Sequence, residues 1–258
     1  MALSLTINGE LVEAEAGESL LDVARRNRVQ IPSLCHHPHV KPDGACRICL
    51  VEVTRNGRKK LTTACNYEVL DGIEVETRTE EIAEHRAMLL ELLLGQAPDA
   101  ERLRTLAEAY GPKENSFSKV EPPAGRKDCI LCGLCSRVCE EVVGAAAITL
   151  SGKGQDKGID VPFKEWISNA CIGCGACDAV CPTHCIDMES RKVEELRKLP
   201  VTNRPCRYAL MGLMDGAICA NDYECAKCEV DQRLFEACYP EHPIFVTRGC
   251  APLNGYSE

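Results

Sequence analysis

The residues of this chain that could do chemistry are its cysteines, nineteen among 258 positions. Eight of them fall in two copies of one pattern, C-x2-C-x2-C-x3-C: Cys129, Cys132, Cys135 and Cys139, then Cys171, Cys174, Cys177 and Cys181, the second copy closed by Pro182. Two residues between cysteines let a loop aim three thiolates at one iron-sulfur cube, and the fourth ligand then comes from farther along the chain. Zinc knuckles also use C-x2-C, but zinc takes four ligands per site, and a doubled four-cysteine run with a closing Cys-Pro fits that reading poorly.

The doubled run resembles the cluster-binding segment of bacterial two-cluster ferredoxins. In that arrangement the fourth cysteine of each copy serves the other copy's cube. The resemblance implies one cube on Cys129, Cys132, Cys135 and Cys181, and another on Cys139, Cys171, Cys174 and Cys177. Gly133, Gly173 and Gly175 suit loops whose backbone must approach a cluster and donate amides to its sulfurs.

A second constellation, Cys35, Cys46, Cys49 and Cys65, is spaced C-x10-C-x2-C-x15-C. The plant-type ferredoxin spacing, C-x4-C-x2-C, is not met. The stretch LCHHPHVKPDGACRICLVEV, followed by TTAC and DGIEVET, resembles the N-terminal 2Fe-2S domain of the large iron-sulfur subunit of complex I. The same domain opens many iron-only hydrogenases and the small diaphorase subunit of NAD-linked nickel-iron hydrogenases. That resemblance implies a 2Fe-2S cluster on Cys35, Cys46, Cys49 and Cys65, with Gly44 letting the loop wrap closely. His36, His37 and His39 read as solvated or capping residues, since four cysteines suffice. The family also carries a His-x3-C-x2-C-x5-C run for a further 4Fe-4S cluster. Residues 85 to 128 here contain no cysteine, so that cluster is expected to be absent and His85 to lie on a helix surface.

The third constellation lies near the C-terminus: Cys206, Cys219, Cys225 and Cys228, separated by twelve, five and two residues. This spacing does not separate iron-sulfur from zinc; a third 4Fe-4S cluster is the favoured expectation, because the same machinery would load it. Cys185 is expected to pack as a small apolar residue. Cys238 and Cys250 have no evident partners and read as structural, although either could replace a ligand of the last site.

These ligands need elements to position them. Leu3–Asn8 and Leu11–Ala16 read as strands around Asn8-Gly9, a strong tight-hairpin signal. A helix follows over Glu18–Asn27 with Leu20, Leu21, Val23 and Ala24 on one side, stopped at Ile31-Pro32. A hairpin, a helix and then a cysteine loop is the order of a β-grasp ferredoxin domain, assigned to residues 1–78. Two helices, Thr79–Leu94 with Gly95 as C-cap and Asp99–Tyr110 closed by Gly111-Pro112, lead into a polar linker over 113–125, so residues 79–125 form a helical connector. The double 4Fe-4S module takes 126–190, with short extended pieces at Ala147–Leu150 and Ile159–Pro162 between its cysteine runs, like the hairpin that complex I and hydrogenase relatives insert there. Residues 191–258 hold a charged helix, read as a solvated connector, and the four-cysteine segment. The fold class is α+β.

Composition narrows the function. A charged fraction of 27% beside 45% hydrophobic residues indicates a globular chain, and no apolar run approaches the roughly 20 residues of a membrane span. MALSLTINGE carries neither a basic leader nor an apolar h-region, so no export signal is expected, and so many cysteines then point to metal ligation in the cytoplasm. A net charge of −9 and 4% aromatic residues disfavour nucleic acid. No dinucleotide fingerprint, P-loop or nucleophile elbow appears. The expectation is an electron wire: an iron-sulfur subunit of a soluble NAD(P)H-linked oxidoreductase. By resemblance it would stand between a flavin-containing NAD(P)H-oxidising subunit and a hydrogenase, formate dehydrogenase or comparable catalytic partner, with electron bifurcation open. A stand-alone polyferredoxin carrier and an iron-sulfur redox sensor or regulator are the alternatives. A fumarate-reductase type subunit fits less well, because its first cluster uses the plant-like spacing.

Overall fold

The computed structural model describes residues 2–111, 127–160 and 170–238. The expected linker over 113–125, the end of the second extended piece at 161–162 and Cys250 lie outside the described residues, as does the side chain of Cys238. The chain divides into two compact units, Met1–His37 with Lys41–Cys132, and Pro38–Val40 with Gly133–Glu258.

The first unit is built on a mixed sheet. Strands β1 (Ala2–Ile7) and β2 (Glu10–Glu15) pair antiparallel, with Ile7 opposite Glu10. Asn8 and Gly9 both take positive φ, the geometry that lets a two-residue turn match strand twist. Helix α1 (Leu20–Arg26) starts at Ser19, whose hydroxyl accepts the Asp22 N–H at 3.1 Å. Strands β3 (Leu50–Arg55) and β4 (Arg58–Thr63) form a second hairpin around Asn56 and Gly57, also at positive φ. Strand β5 (Glu74–Glu76) then enters the middle, parallel to β1 and antiparallel to β3, giving the order β2-β1-β5-β3-β4. Alternate residues Leu5, Ile7, Val12, Ala14, Val51, Val53 and Val75 face one core, which Leu20, Leu21, Val23 and Ala24 of α1 cover.

Helix α2 (Glu80–Gln96) begins at Thr79, which accepts the Ile82 N–H at 3.3 Å. It runs through Gly95 to a C-cap at Ala97, so the expected stop at Gly95 is not used. Helix α3 (Glu101–Tyr110) ends where Gly111 turns left-handed. A second core joins Leu90, Ala97, Ala100 and Leu103 of this helical pair to Leu34, Ile48 and Ile130.

The second unit has short elements. Helix α4 (Leu134–Arg137) continues as a π-helical turn over Val138–Val143. Strands β6 (Thr149–Ser151) and β7 (Gly158–Asp160) form the expected inserted hairpin. Helix α5 (Ala176–Ala179) lies within the second cysteine run and carries Cys177, and α6 (Met188–Arg197), α7 (Arg207–Leu210) and α8 (Glu229–Cys238) complete the unit. Helix α6 is more than a solvated connector: Leu196 is buried, and Lys192 packs against Gly173 of the second cysteine loop.

Candidate metal centres

In the first unit Cys35, Cys46, Cys49 and Cys65 are all buried. They stand as two pairs, the thiols of Cys35 and Cys46 sharing a hydrogen bond and those of Cys49 and Cys65 another. Within each pair the bond makes one thiol harder to deprotonate and its partner easier: Cys35 and Cys65 are raised, Cys46 and Cys49 lowered. The Cys46 N–H also donates to Cys35 Sγ at 3.3 Å. Two pairs of sulfurs suit two metal centres side by side, each taking two thiolates. Gly44, at φ +69, brings the loop close: a Cβ there would stand 2.9 Å from Asn66 Nδ2. His36, expected to be solvated or capping, is not solvated. Its side chain is 4% exposed and reaches α1, with Nδ1 at 3.1 Å from Arg25 and Nε2 at 3.7 Å from Asp22. His85 lies on the surface of α2, its ring nitrogen at 2.7 Å from the Glu81 carbonyl.

Arg86 is the positioning residue that sequence reasoning missed. From the buried face of α2 it donates to the carbonyls of Ile48 at 3.2 Å and Leu50 at 2.6 Å, on either side of Cys49, and to Thr77 at 3.2 Å. Desolvation makes its charge less favourable than usual, and its guanidinium lies 5.4 Å from the Tyr110 ring centroid. Its place beside Ile82 and Leu90 at four-residue spacing was the available signal. In the same unit Cys129 is buried, its Sγ accepting the Leu131 N–H at 3.4 Å, and Cys132 packs beside Ile130 in the core that also holds Cys35 and Cys46.

In the second unit Cys139, Cys171, Cys174 and Cys177 line one cleft of about 370 Å³, together with Ala147, Gly175 and Glu189. The cleft thus brings Cys139 of the first run together with three cysteines of the second. Burial raises the pKa of each of the four, with Cys174 pushed up to about 11. The Ala147 N–H opposes this at Cys139 by donating to its Sγ at 3.2 Å. Cys135 and Cys181 pack in the same small core as Cys139 and Ile186, and Cys185 lies with them, its Sγ 3.7 Å from that of Cys181. The π-helical turn carries Cys139 at its second position, and its end returns the Ala145 and Ala146 N–H groups to the Cys139 carbonyl.

Cys206, Cys219, Cys225 and Cys228 line a second cleft in this unit, of about 910 Å³. The Tyr223 N–H donates to Cys219 Sγ at 3.2 Å, and Arg207 Nη1 to Cys225 Sγ at 3.5 Å. Burial raises Cys206 and Cys225, against the pull of local N–H groups on the first and of Arg207 on the second. The described cysteines form no disulfide with one another. Among the described residues no three His, Cys, Asp or Glu side chains are gathered for a single metal ion; these thiols instead border open space.

Comparison with known proteins bears on what occupies that space. A profile for the 2Fe-2S iron-sulfur cluster binding domain matches residues 1–80, and one for the 4Fe-4S binding domain matches residues 164–187. The chain is 34% identical over 203 residues to an NADH-quinone oxidoreductase subunit of Rhizobium meliloti, covering 70% of this chain and 23% of that one. It is 35% identical over 201 residues to the alpha subunit of the NADPH-Fe(3+) oxidoreductase of Geobacter sulfurreducens, with the same coverage. These homologues are subunits of NADH- or NADPH-linked oxidoreductases. The HndD subunit of the NADP-reducing hydrogenase of Solidesulfovibrio fructosivorans is another, 30% identical over 208 residues, 70% of this chain and 35% of that one. The chain thus spans between about a quarter and a third of the length of these relatives. A solved NAD+-reducing [NiFe]-hydrogenase superposes with a TM-score of 0.54 at 28% identity, over 62% of this chain and 75% of the other. Among the described residues no helix is long and apolar enough to cross a membrane.

Proposed function

We propose that this chain is a cytoplasmic iron-sulfur relay of a multi-subunit NAD(P)H-linked oxidoreductase, standing between a flavin-containing NAD(P)H-oxidising subunit and a hydrogenase, formate dehydrogenase or comparable catalytic partner. Its N-terminal β-grasp domain holds a 2Fe-2S cluster, Cys35 and Cys46 on one iron and Cys49 and Cys65 on the other. Cys139, Cys171, Cys174 and Cys177 hold one 4Fe-4S cube; Cys129, Cys132, Cys135 and Cys181 hold another, on the strength of their spacing. Cys206, Cys219, Cys225 and Cys228 hold a third. Bound clusters supply one-electron transfer at potentials tuned by burial and by N–H groups directed at sulfur.

The observation that carries this reading is common to all four groups. In each, a backbone N–H donates to a cysteine sulfur at 3.2–3.4 Å: Cys46 to Cys35, Leu131 to Cys129, Ala147 to Cys139, Tyr223 to Cys219. Such donors favour the anionic sulfur that metal binding requires. For the C-terminal group, a cleft bordered by four thiols suits a cluster better than the single point at about 2.3 Å from each sulfur that zinc demands.

The test is iron, acid-labile sulfide and zinc per chain after anaerobic purification. Four clusters require about 14 irons, and the first three alone about 10. Recovery with a flavoprotein is expected; a chain that purifies alone and reduces many acceptors would be a free carrier instead. Few irons with several zincs would overturn the electron-transfer reading.

A further inference from the structure

The relay leaves one half-buried ion pair unexplained. Arg207 opens α7 directly after Cys206, and its side chain is 11% exposed. Its Nη1 donates to Glu189 Oε1 at 2.5 Å and to Cys225 Sγ at 3.5 Å, so one guanidinium touches the C-terminal cysteine group and a residue of α6. Glu189 in turn lines the cleft with Cys139, Cys171, Cys174 and Cys177. Its carboxylate lies directly against Gly175, between Cys174 and Cys177, where a Cβ would collide with Oε2 and stand 3.5 Å from Arg207 Nη2. Glu189 lines one four-cysteine cleft of this unit and Arg207 the other, and the ion pair between them joins the two. The Arg207 Nε is buried and finds no hydrogen-bond partner among the described residues, a donor left over beside a cleft that its own residue lines.

We propose that Arg207 is a charge shared by two cluster sites, which makes the C-terminal group the neighbour and electron-exchange partner of the cube on Cys139, Cys171, Cys174 and Cys177 rather than a separate structural knot. The proposal rests on the four-cluster reading above. When one electron passes between the two sites, one cluster loses a unit of negative charge and the other gains it, with no proton required. A guanidinium between them stabilises the reduced form of each, and its partner Glu189 opposes this. Arg207 is thus a positioning residue: it orients Glu189 onto the cube-binding loop, points a donor at Cys225 and biases both potentials in the same direction.

The experiment is a dithionite titration of the holoprotein at fixed pH, followed by EPR, on wild type, Arg207→Gln, Arg207→Lys and Glu189→Gln. Arg207→Gln should lower the midpoints of two clusters together, each by about tenfold in reduction equilibrium, about 59 mV for one electron. Arg207→Lys should restore most of that shift, and Glu189→Gln should move both midpoints upward. Opposite signs from the two partners would not follow from a merely structural role. If Arg207→Gln fails to hold its iron, Glu189→Gln and Arg207→Lys still decide. About 14 irons with midpoints that stay put, or a shift confined to one cluster, would overturn the shared role of Arg207 alone. About 10 irons with one zinc would instead remove the C-terminal cluster, and the relay step with it.

Discussion

A single glycine and a single arginine show how closely the sites are built. Gly175 sits at φ +76 between two cysteines, with the Glu189 carboxylate filling the space where a side chain would project. Gly175→Ala is therefore expected to strain the backbone by about 1–3 kcal/mol and to displace Glu189 as well. Its signature would be the loss of about four irons per chain, while the visible spectrum of the 2Fe-2S domain is retained. Full iron content in this variant would show that the loop tolerates what its geometry forbids. Arg86 makes the complementary case. Two of its three carbonyl acceptors fix the chain on either side of Cys49, so Arg86→Met should lose about 3 kcal/mol, the upper range for leaving buried acceptors of a charged donor unpaired. Chemical denaturation followed by far-UV circular dichroism would measure it, with bleaching of the 2Fe-2S absorbance at lower denaturant. An unchanged midpoint would mean that packing, not Arg86, holds the loop. The cysteines were legible in the sequence because their spacing is rigid. Arg86 and Arg207 were not, because an arginine on a helix usually reads as solvated, and only tertiary packing shows which one is buried.

At the scale of elements, legibility followed local chemistry. The Asn8-Gly9 hairpin could be read directly, since two positive-φ residues in a row specify one turn. The same signal at Asn56-Gly57 closes β3–β4 and could have been read likewise. Strand β5 could not: it is three residues long and is held by pairing with β1 and β3. Helix α2 passes through Gly95 because Ala97 and Leu93 are held in the core beneath it, which offsets the glycine's cost of up to about 1 kcal/mol. Glu18 shows how one contact joins elements. It accepts the Glu15 N–H at 2.7 Å and pairs with Arg26 at the end of α1, tying β2 to the helix. The Arg26 hydrogen bond, followed by the backbone one, holds its carboxyl below the ordinary glutamate range. A lowered folded-state pKa adds stability above the ordinary value near 4.5, and that stability is lost as pH falls through the lowered value. Glu18→Gln should therefore be less stable than wild type at pH 7 and indistinguishable from it near pH 2. A difference that persists in acid would locate the effect in the unfolded chain.

At the scale of the molecule, the two units are expected to depend on metal to different degrees. The sheet unit has a core of its own, with Leu5, Ile7, Leu20, Leu21, Val51, Val53, Ile73 and Val75 nearly or fully inaccessible and cysteine contributing only Cys49 and Cys65. In the core around Cys139, half of the fully buried members are cysteines: Cys135, Cys139 and Cys181 beside Ala147, Ile148 and Ile186. Helices of four residues, such as α4, α5 and α7, fall far below the length at which a helix persists without packing. A segment with so little apolar surface to bury needs staples, and on the reading proposed above these would be metal–thiolate bonds. Removing the clusters by anaerobic chelation under oxidation, with reductant then restored to keep the thiols unpaired, should therefore melt one unit and spare the other. Hydrogen exchange read by mass spectrometry is expected to show β1–β5 and α1 still protected in the apoprotein, while 133–160 and 170–238 exchange at nearly the unfolded rate. Reloading with iron and sulfide should restore protection there in step with iron uptake. If the second unit stayed protected without metal, its fold would precede the clusters, and the cysteine clefts would be preformed sockets rather than structures made by what they bind.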